Sequence, residues 1–418
     1  MKLSHLSETL IGSEIVKLGG EIRERMRLGE PVYNFTVGDF DPAIFPIPKA
    51  LEEEVIEAYR QHFTNYPSAE GNLDLREAIS AFLLEREGLQ YSTDEILVSC
   101  GGRPLIYSLF RVIADPGDRV IYAVPSWNNN HYTHFVGGEH IVIDTSPEND
   151  FMPAAADIRP HIQGATLLCL CSPQNPTGTT ISQKDLEDIC DMVLQENGRR
   201  GEGEKKLFVM YDQMYWQLTY GDFRHHDPVS LRPAMKDYTI YIDAISKVFA
   251  ATGLRIGWAF GPAEVMGKMK SILGHIGAWG PMAEQKATAR FLPQSQKIDA
   301  FLGGFKAAMK QRLDKMYAGF MQLKNEGFAV DAITPQAAIY LTIKIDLAGK
   351  KNRAGELLAT QSQVTSYLLR EAKLAVVPFS AFGTPKNMPW YRLSVGTCQL
   401  DQIDAVISHL REAMQKLT

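Results

Sequence analysis

No apolar run in this sequence approaches the roughly 18–20 residues that a membrane span requires, so a membrane protein is not expected. The opening stretch, MKLSHLSETLIGSEIVKLGGEIRERMRLGE, lacks an uninterrupted apolar core and a small-residue cleavage pattern, so no secretory leader is expected either. Positive charge is not in surplus. Lys and Arg number 43 against 49 Asp and Glu, a net charge of −6, which leaves no electrostatic footprint for nucleic acid or an anionic membrane. Cysteine is scarce: Cys100, Cys169, Cys171, Cys190 and Cys398 make an odd count, mostly in apolar runs. They fit buried thiols in a reducing, cytoplasmic setting and not a disulfide framework.

Several chemical signatures are missing as well. No Gly-x-Gly-x-x-Gly follows a strand, which weighs against dinucleotide binding. No Gly-x-Ser-x-Gly elbow points to a serine hydrolase. His131 and His134 lie three apart and His225 and His226 are adjacent, but no cysteine or acid cluster completes either group and no His-Glu-x-x-His occurs. Surface or stacking roles are expected for them, and no metal.

What is present is length and alternation. At 418 residues and 45% hydrophobic, the chain can bury a full-sized core in two domains. Ile11, Ile15, Leu18, Ile22 and Met26 follow helical spacing and predict an amphipathic helix over about Ser7–Leu28. The middle of the chain alternates short apolar runs (EILVSC, DRVIYAV, TLLCLC, KKLFVMYD, TIYIDA) with helical patterns, among them Arg103–Ile113, Asn129–Val136 and a helix capped by Ser182. Strands separated by helices imply right-handed crossovers and a mainly parallel sheet. Beyond Met282 a long helical region runs through Lys324, followed by AAIYLTIKID, a helix over Gln363–Glu371, AVVPFS and WYRLSVG. The expected fold is α/β: a large domain over 46–290 with a mainly parallel sheet flanked by helices, plus a smaller α+β domain from 1–45 and 291–418.

Such sheets bind ligands outside the carboxyl ends of their strands. The unusual residues fall there: Gly101–Arg103, Trp127, Asn175, Asp212 and Lys247 each follow an apolar run. Taken singly, Lys247 reads as a surface lysine, Asp212 as a helix cap, Asn175 as an ordinary turn residue and Trp127 as core. In register, they imply one cleft. Arg255 lies eight residues after Lys247 and heads the run IGWAFG, which suits an amine nucleophile beside a phosphate clamp.

The segment from Ser246-Lys247 to Gly253-Leu254-Arg255-Ile256-Gly257 resembles the fold-type I pyridoxal-phosphate enzymes, specifically the aspartate aminotransferase-like class I/II aminotransferases. The resemblance spans Gly38 to Arg392, nearly the whole chain. It implies that Lys247 bonds covalently to the aldehyde of pyridoxal 5′-phosphate and later moves a proton at the substrate Cα. It further implies that Arg255 binds the phosphate, Asp212 faces the pyridine nitrogen, and Tyr215 and Asn175 reach the phenolic oxygen, with Asn175 bordering the substrate. Gly101, Gly102 and Arg103 open the helix expected under the phosphate, and Trp127 matches the aromatic that stacks on the ring. Tyr66, in NYPSAEGNLDLREAI, matches a tyrosine that reaches the neighbouring subunit's cofactor, which implies a homodimer with shared active sites. Arg392 matches the clamp on the substrate α-carboxylate, and Gly38 the loop glycine beside it.

The sequence also departs from the family. Ala244 stands where a phosphate-binding Ser or Thr is usual, three residues before the lysine, and the segment around Trp279 lacks the usual Ser/Thr-rich pattern. Arg103 can meet the distal carboxylate of aspartate or glutamate, or the phosphate. Trp279 and Phe379 are apolar candidates for the substrate pocket. The expected activity is ping-pong transfer of an amino group between an amino acid and a 2-oxo acid; β-elimination by a carbon–sulfur lyase is the alternative.

Overall fold

The first strand, β1 (Tyr33–Asn34), lies apart from the large sheet in the computed structural model, which describes all residues except Met1, Ile11 and Ser13 and the side chains of Glu14–Lys17. The large sheet collects β2 (Ile96–Ser99), β3 (Arg119–Val124), β4 (Glu139–Asp144), β5 (Ala165–Cys171), β6 (Phe208–Asp212), β7 (Thr239–Ala244) and β8 (Gly257–Phe260). Their order is β2-β8-β7-β6-β5-β3-β4, and β8 alone runs against the rest. The expected α/β class and mainly parallel sheet are therefore found. β3, β5 and β7 are buried almost throughout, as near-continuous apolar runs must be when helices cover both faces. Edge strand β4 is mostly exposed.

The helices cover that sheet through apolar stripes. In Gly102–Ile113 the buried set Leu105, Ile106, Leu109, Phe110 and Ile113 follows the helical repeat. Each such side chain contributes about 1.5–3 kcal/mol on burial. Ser182 does cap its helix, its Oγ accepting from the Asp185 N–H at 3.1 Å.

Two expected helices are broken. The stretch Ser7–Leu28 forms His5–Thr9 and Glu14–Arg27, with Leu10 extended between them; Ile11, one of the periodic residues, lies outside the described residues. The region Met282–Lys324 forms Met282–Phe291 and Ser295–Asn325. Pro293 sits at this break, where a missing N–H and a ring clash end a helix.

The rest of the chain builds β9 (Val330–Ala332), β10 (Tyr340–Ile345), β11 (Leu374–Ala375), β12 (Val377–Pro378) and β13 (Trp390–Ser394). An antiparallel sheet runs β12-β13-β10-β9, while β11 pairs in parallel with β1. The segment AVVPFS thus divides at Val376 between two sheets. Ile22 and Leu18 of the helix Glu14–Arg27 pack on Leu369 and Ala375, joining the N-terminal segment to this smaller part.

Candidate active site

Because β2, β3, β5, β6 and β7 run the same way, the residues that follow them meet at one edge of the sheet. A cleft of about 550 Å³ opens there, roofed by the loop after β1 and by β10 and β13. Lys247 and Arg255 share this edge because the chain reverses between them. β7 ends at Ala244, Ile245–Val248 forms one helical turn, and β8 returns with Gly257 opposite Ala244. The reversal is tight enough to hold Ala250 and Arg255 at positive φ, +51° and +57°.

Lys247 reaches across the cleft and donates to the Gly38 carbonyl. Burial drives its amine down to about 8; Asp39 opposes this, while Arg392, Arg103 and Arg255 reinforce it. At pH 7 about a tenth of this amine is therefore unprotonated and nucleophilic, far more than for an ordinary lysine.

Asp212 ends β6 facing the same space. Burial pushes its carboxyl up to about 6, relieved only partly by the Met214 N–H, which donates to Oδ1 at 3.1 Å. Tyr215 is buried, and its hydroxyl shares a 2.6 Å hydrogen bond with that of Tyr340. Burial raises the Tyr215 hydroxyl well above its ordinary value, so it stays a neutral donor.

Arg392 ties the parts together. It lies on β13 opposite Thr342 of β10 and is only 2% exposed. Nη1 donates to Asn175 Oδ1 at 3.0 Å and Nη2 to the Thr36 carbonyl at 2.6 Å, while the guanidinium sits 4.7 Å from the Tyr340 ring centroid. Its Nε has no partner, and no carboxylate pairs with it among the described residues. A buried cation without an anion is costly; a ligand carboxylate would supply the missing charge. Gly38 is required beside it, since a Cβ there would lie 2.6 Å from the Tyr340 hydroxyl.

At the opposite wall, helix Gly102–Ile113 starts with no side-chain cap, leaving its first N–H groups free for an anion. Gly101 sits at φ +95°, and a Cβ there would stand 2.5 Å from Arg255 Nη2 and push that guanidinium away. Arg255 is held there by the carbonyls of Thr252 (2.7 Å) and Cys100 (3.1 Å). Ser246 borders the cleft, whereas Ala244 is fully buried outside it. Trp127 is half-buried on the cleft wall with Arg103 stacked 5.3 Å from its ring centroid.

Two expected pocket residues lie elsewhere. Phe379 is buried in an apolar cluster with Phe151, Phe382 and Trp390, and the pocket reading for it is corrected: its strand-end position turns it into core. Trp279 packs against Tyr66, ring centroids 5.3 Å apart, beside a separate cavity that also includes Tyr59 and Phe63. Tyr66 itself is 82% exposed and touches nothing in its own cleft. His225 is half-buried near the rings of Tyr211 and Trp216 (6.0 and 6.1 Å between centroids), and His134 meets the Thr9 hydroxyl at 3.1 Å.

The sequence reading missed Thr36, Asp39, Thr252 and Tyr340. Asp39 Oδ1 accepts from the Thr252 hydroxyl at 2.6 Å, bracing the roof loop against the turn after Lys247. The proximity of Asp39 to Gly38 was the only available signal; Tyr340 reads as one more residue of an apolar strand.

A nucleophilic lysine, a half-buried carboxylate and an uncapped helix start at the strand ends of one sheet define a pyridoxal-phosphate enzyme of the fold-type I transferases. The chain belongs to the aminotransferase class I and II family, whose sequence pattern matches residues 30–410. A probable aspartate/prephenate aminotransferase of Rhizobium leguminosarum bv. phaseoli is 28% identical over 399 residues, covering 93% of this chain and 92% of its own. The crystal structure of the aspartate aminotransferase from Rhizobium meliloti superposes with a TM-score of 0.90 at 26% identity, covering all of both chains. That of the Thermus thermophilus aspartate aminotransferase with maleate gives 0.86 at 26% identity, covering 99% of this chain and all of the other. The protein is thus an aminotransferase that uses pyridoxal phosphate. Its cleft fits that cofactor: the half-buried Asp212 carboxylate lacks a cation among the described residues, and a protonated pyridine nitrogen provides one.

Proposed function

We propose that this cleft transfers the amino group of an acidic amino acid, aspartate or glutamate, to a 2-oxo acid by a ping-pong mechanism. The observation that carries the reading is the convergence of Lys247, Asp212 and the anion-less Arg392 on one cleft. Aspartate is supported by the names of the relatives and by Arg103 on the cleft wall. Bound pyridoxal phosphate supplies an aldehyde for the amino group and a ring that delocalises the electron pair left when Cα loses its proton. Lys247 holds the cofactor covalently between turnovers and moves the proton at Cα. Arg392 fixes the α-carboxylate with its planar fork, and Asp212 keeps the ring nitrogen protonated. Tyr215 and Asn175 donate to the phenolic oxygen. Arg255, the first N–H groups of helix Gly102–Ile113 and Ser246 receive the phosphate, with Trp127 stacked on the ring.

We further propose a cytoplasmic homodimer in which Tyr66 completes the partner's cleft, and a division into 46–290 and 1–45 plus 291–418. The five unbridged cysteines support the compartment, and the pairing of β1 with β11 supports the division. No helix among the described residues is long and apolar enough to cross a membrane.

The test uses the purified holoenzyme and single amino acids. Aspartate should bleach the cofactor's visible absorbance in one turnover and stop until a 2-oxo acid is added. Continued ammonia release without an acceptor would establish elimination instead. The Lys247→Ala variant should lose the covalent cofactor band and turnover together; a variant with normal turnover would overturn the role of Lys247.

A further inference from the structure

With Arg255 and Arg392 given to the phosphate and the α-carboxylate, the cleft still holds two guanidiniums, Arg103 and Arg23. Neither forms an ion pair among the described residues. Arg23 is the less expected of the two, because it comes from the helix Glu14–Arg27, far from the sheet edge in sequence. Its neighbours on that helix are paired: Arg25 with Glu30 at 2.8 Å, and Arg27 with Glu24 at 2.7 Å. Arg23 instead folds back along the glycine pair Gly19–Gly20, its Nη1 only 3.5 Å from where a Cβ on Gly19 would sit, and lines the cleft together with Gly19.

The two arginines approach from different parts of the molecule. Arg103 stands in the first turn of helix Gly102–Ile113, fixed over Trp127. Arg23 stands on a helix that Leu18 and Ile22 anchor to Leu369 and Ala375, in the smaller part. We propose that Arg23 is a specificity residue that, opposite Arg103, grips the distal carboxylate of a dicarboxylic substrate and draws the N-terminal helix over the cleft. The inference rests on the transamination reading and extends it to a residue outside the roles given above. An exposed guanidinium contributes little in water, but the same pair strengthens when substrate displaces water from the cleft. A planar fork matches a carboxylate bidentately, which a lysine cannot reproduce.

The experiment compares wild-type holoenzyme with Arg23→Gln, Arg23→Lys and Arg27→Gln, the last removing the same charge from the outward face of the same helix. Two quantities are read: the ratio of kcat/KM for aspartate to that for alanine in the single-turnover reaction, and the Kd of maleate from the shift of the cofactor band. Arg23→Gln should lower the ratio about tenfold or more and weaken maleate binding by a similar factor. Arg23→Lys should recover part of both, and Arg27→Gln should stay within about twofold of wild type. An Arg23→Gln ratio within twofold of wild type, or an equal fall in Arg27→Gln, overturns the clamp and leaves transamination standing. A wild-type enzyme whose band responds to neither amino acid overturns the transamination reading and this inference with it.

Discussion

Lys247 and Asp212 are both shifted toward their uncharged forms by burial, and the consequences for pH differ in sign. Lys247 has its amine lowered to about 8 from an ordinary 10.5, so the nucleophilic form accumulates as pH rises through about 8. The rate at which the cofactor-free protein captures pyridoxal phosphate should rise through that pH and level off above it, followed by growth of the visible band. Arg103→Gln removes a like charge and should move this midpoint upward. Asp212 has its carboxyl raised from 3.8 to about 6, so in the folded protein the carboxylate is penalised. That penalty is absent below the unfolded value, grows between about pH 4 and 6, and is complete above. The cofactor-free Asp212→Asn variant should therefore be more stable than wild type at pH 7.5, by up to about 3 kcal/mol, and no more stable near pH 3.5, as denaturant unfolding would measure. Its turnover should fall sharply, since stability here is given up for an electron sink. These residues were legible in the sequence because each follows an apolar run in a fixed order. Tyr340 and Thr252 were not: their importance comes from a Tyr215 hydroxyl and an Asp39 carboxylate that are 125 and 213 positions away.

Between the residues and the molecule stand the elements that aim them, chiefly the start of helix Gly102–Ile113 and the turn before β8. Their close contact explains the glycines. A Cβ on Gly257 would lie 2.8–3.0 Å from the backbone of Gly101 and Gly102, and one on Gly101 would displace Arg255. The Gly101→Ala variant combines a strained φ of +95° with loss of the Arg255 position. It should bind pyridoxal phosphate about 10- to 100-fold more weakly, as fluorescence titration would measure, and lose about 1–2 kcal/mol of stability. Apolar periodicity located β2, β3, β5, β6 and β7 and the helices Asn129–Val136 and Gly102–Ile113 closely, because burial on a sheet selects for it, but it passed over β4, an edge strand that is mostly exposed. It failed at Pro293 and at Leu10, where the helical spacing of side chains continues across a break in the backbone. It also merged β11 and β12, since a continuous apolar run carries no mark of which neighbour each half will pair with.

At the scale of the whole molecule, the cleft built by one chain leaves Tyr66 unused. It is 82% exposed, and Tyr59, which lines the same cavity, is 51% exposed. Apolar side chains exposed together mark a contact surface. If that surface pairs two copies about a two-fold axis, each Tyr66 is delivered to the other copy's cleft. Subunit complementation separates this arrangement from a tyrosine that serves its own chain. Lys247→Ala and Tyr66→Ala should each be nearly inactive alone. Mixed and allowed to exchange subunits, they form hybrids in which one cleft carries both defects and the other carries neither. With equal amounts and random pairing, half the dimers are hybrids and about a quarter of all clefts are intact. Activity should therefore climb from near zero toward about a quarter of wild type as exchange proceeds. A tyrosine acting within its own chain gives no such recovery, because every cleft then keeps one of the two defects; activity that remains at the average of the parents would refute the shared site.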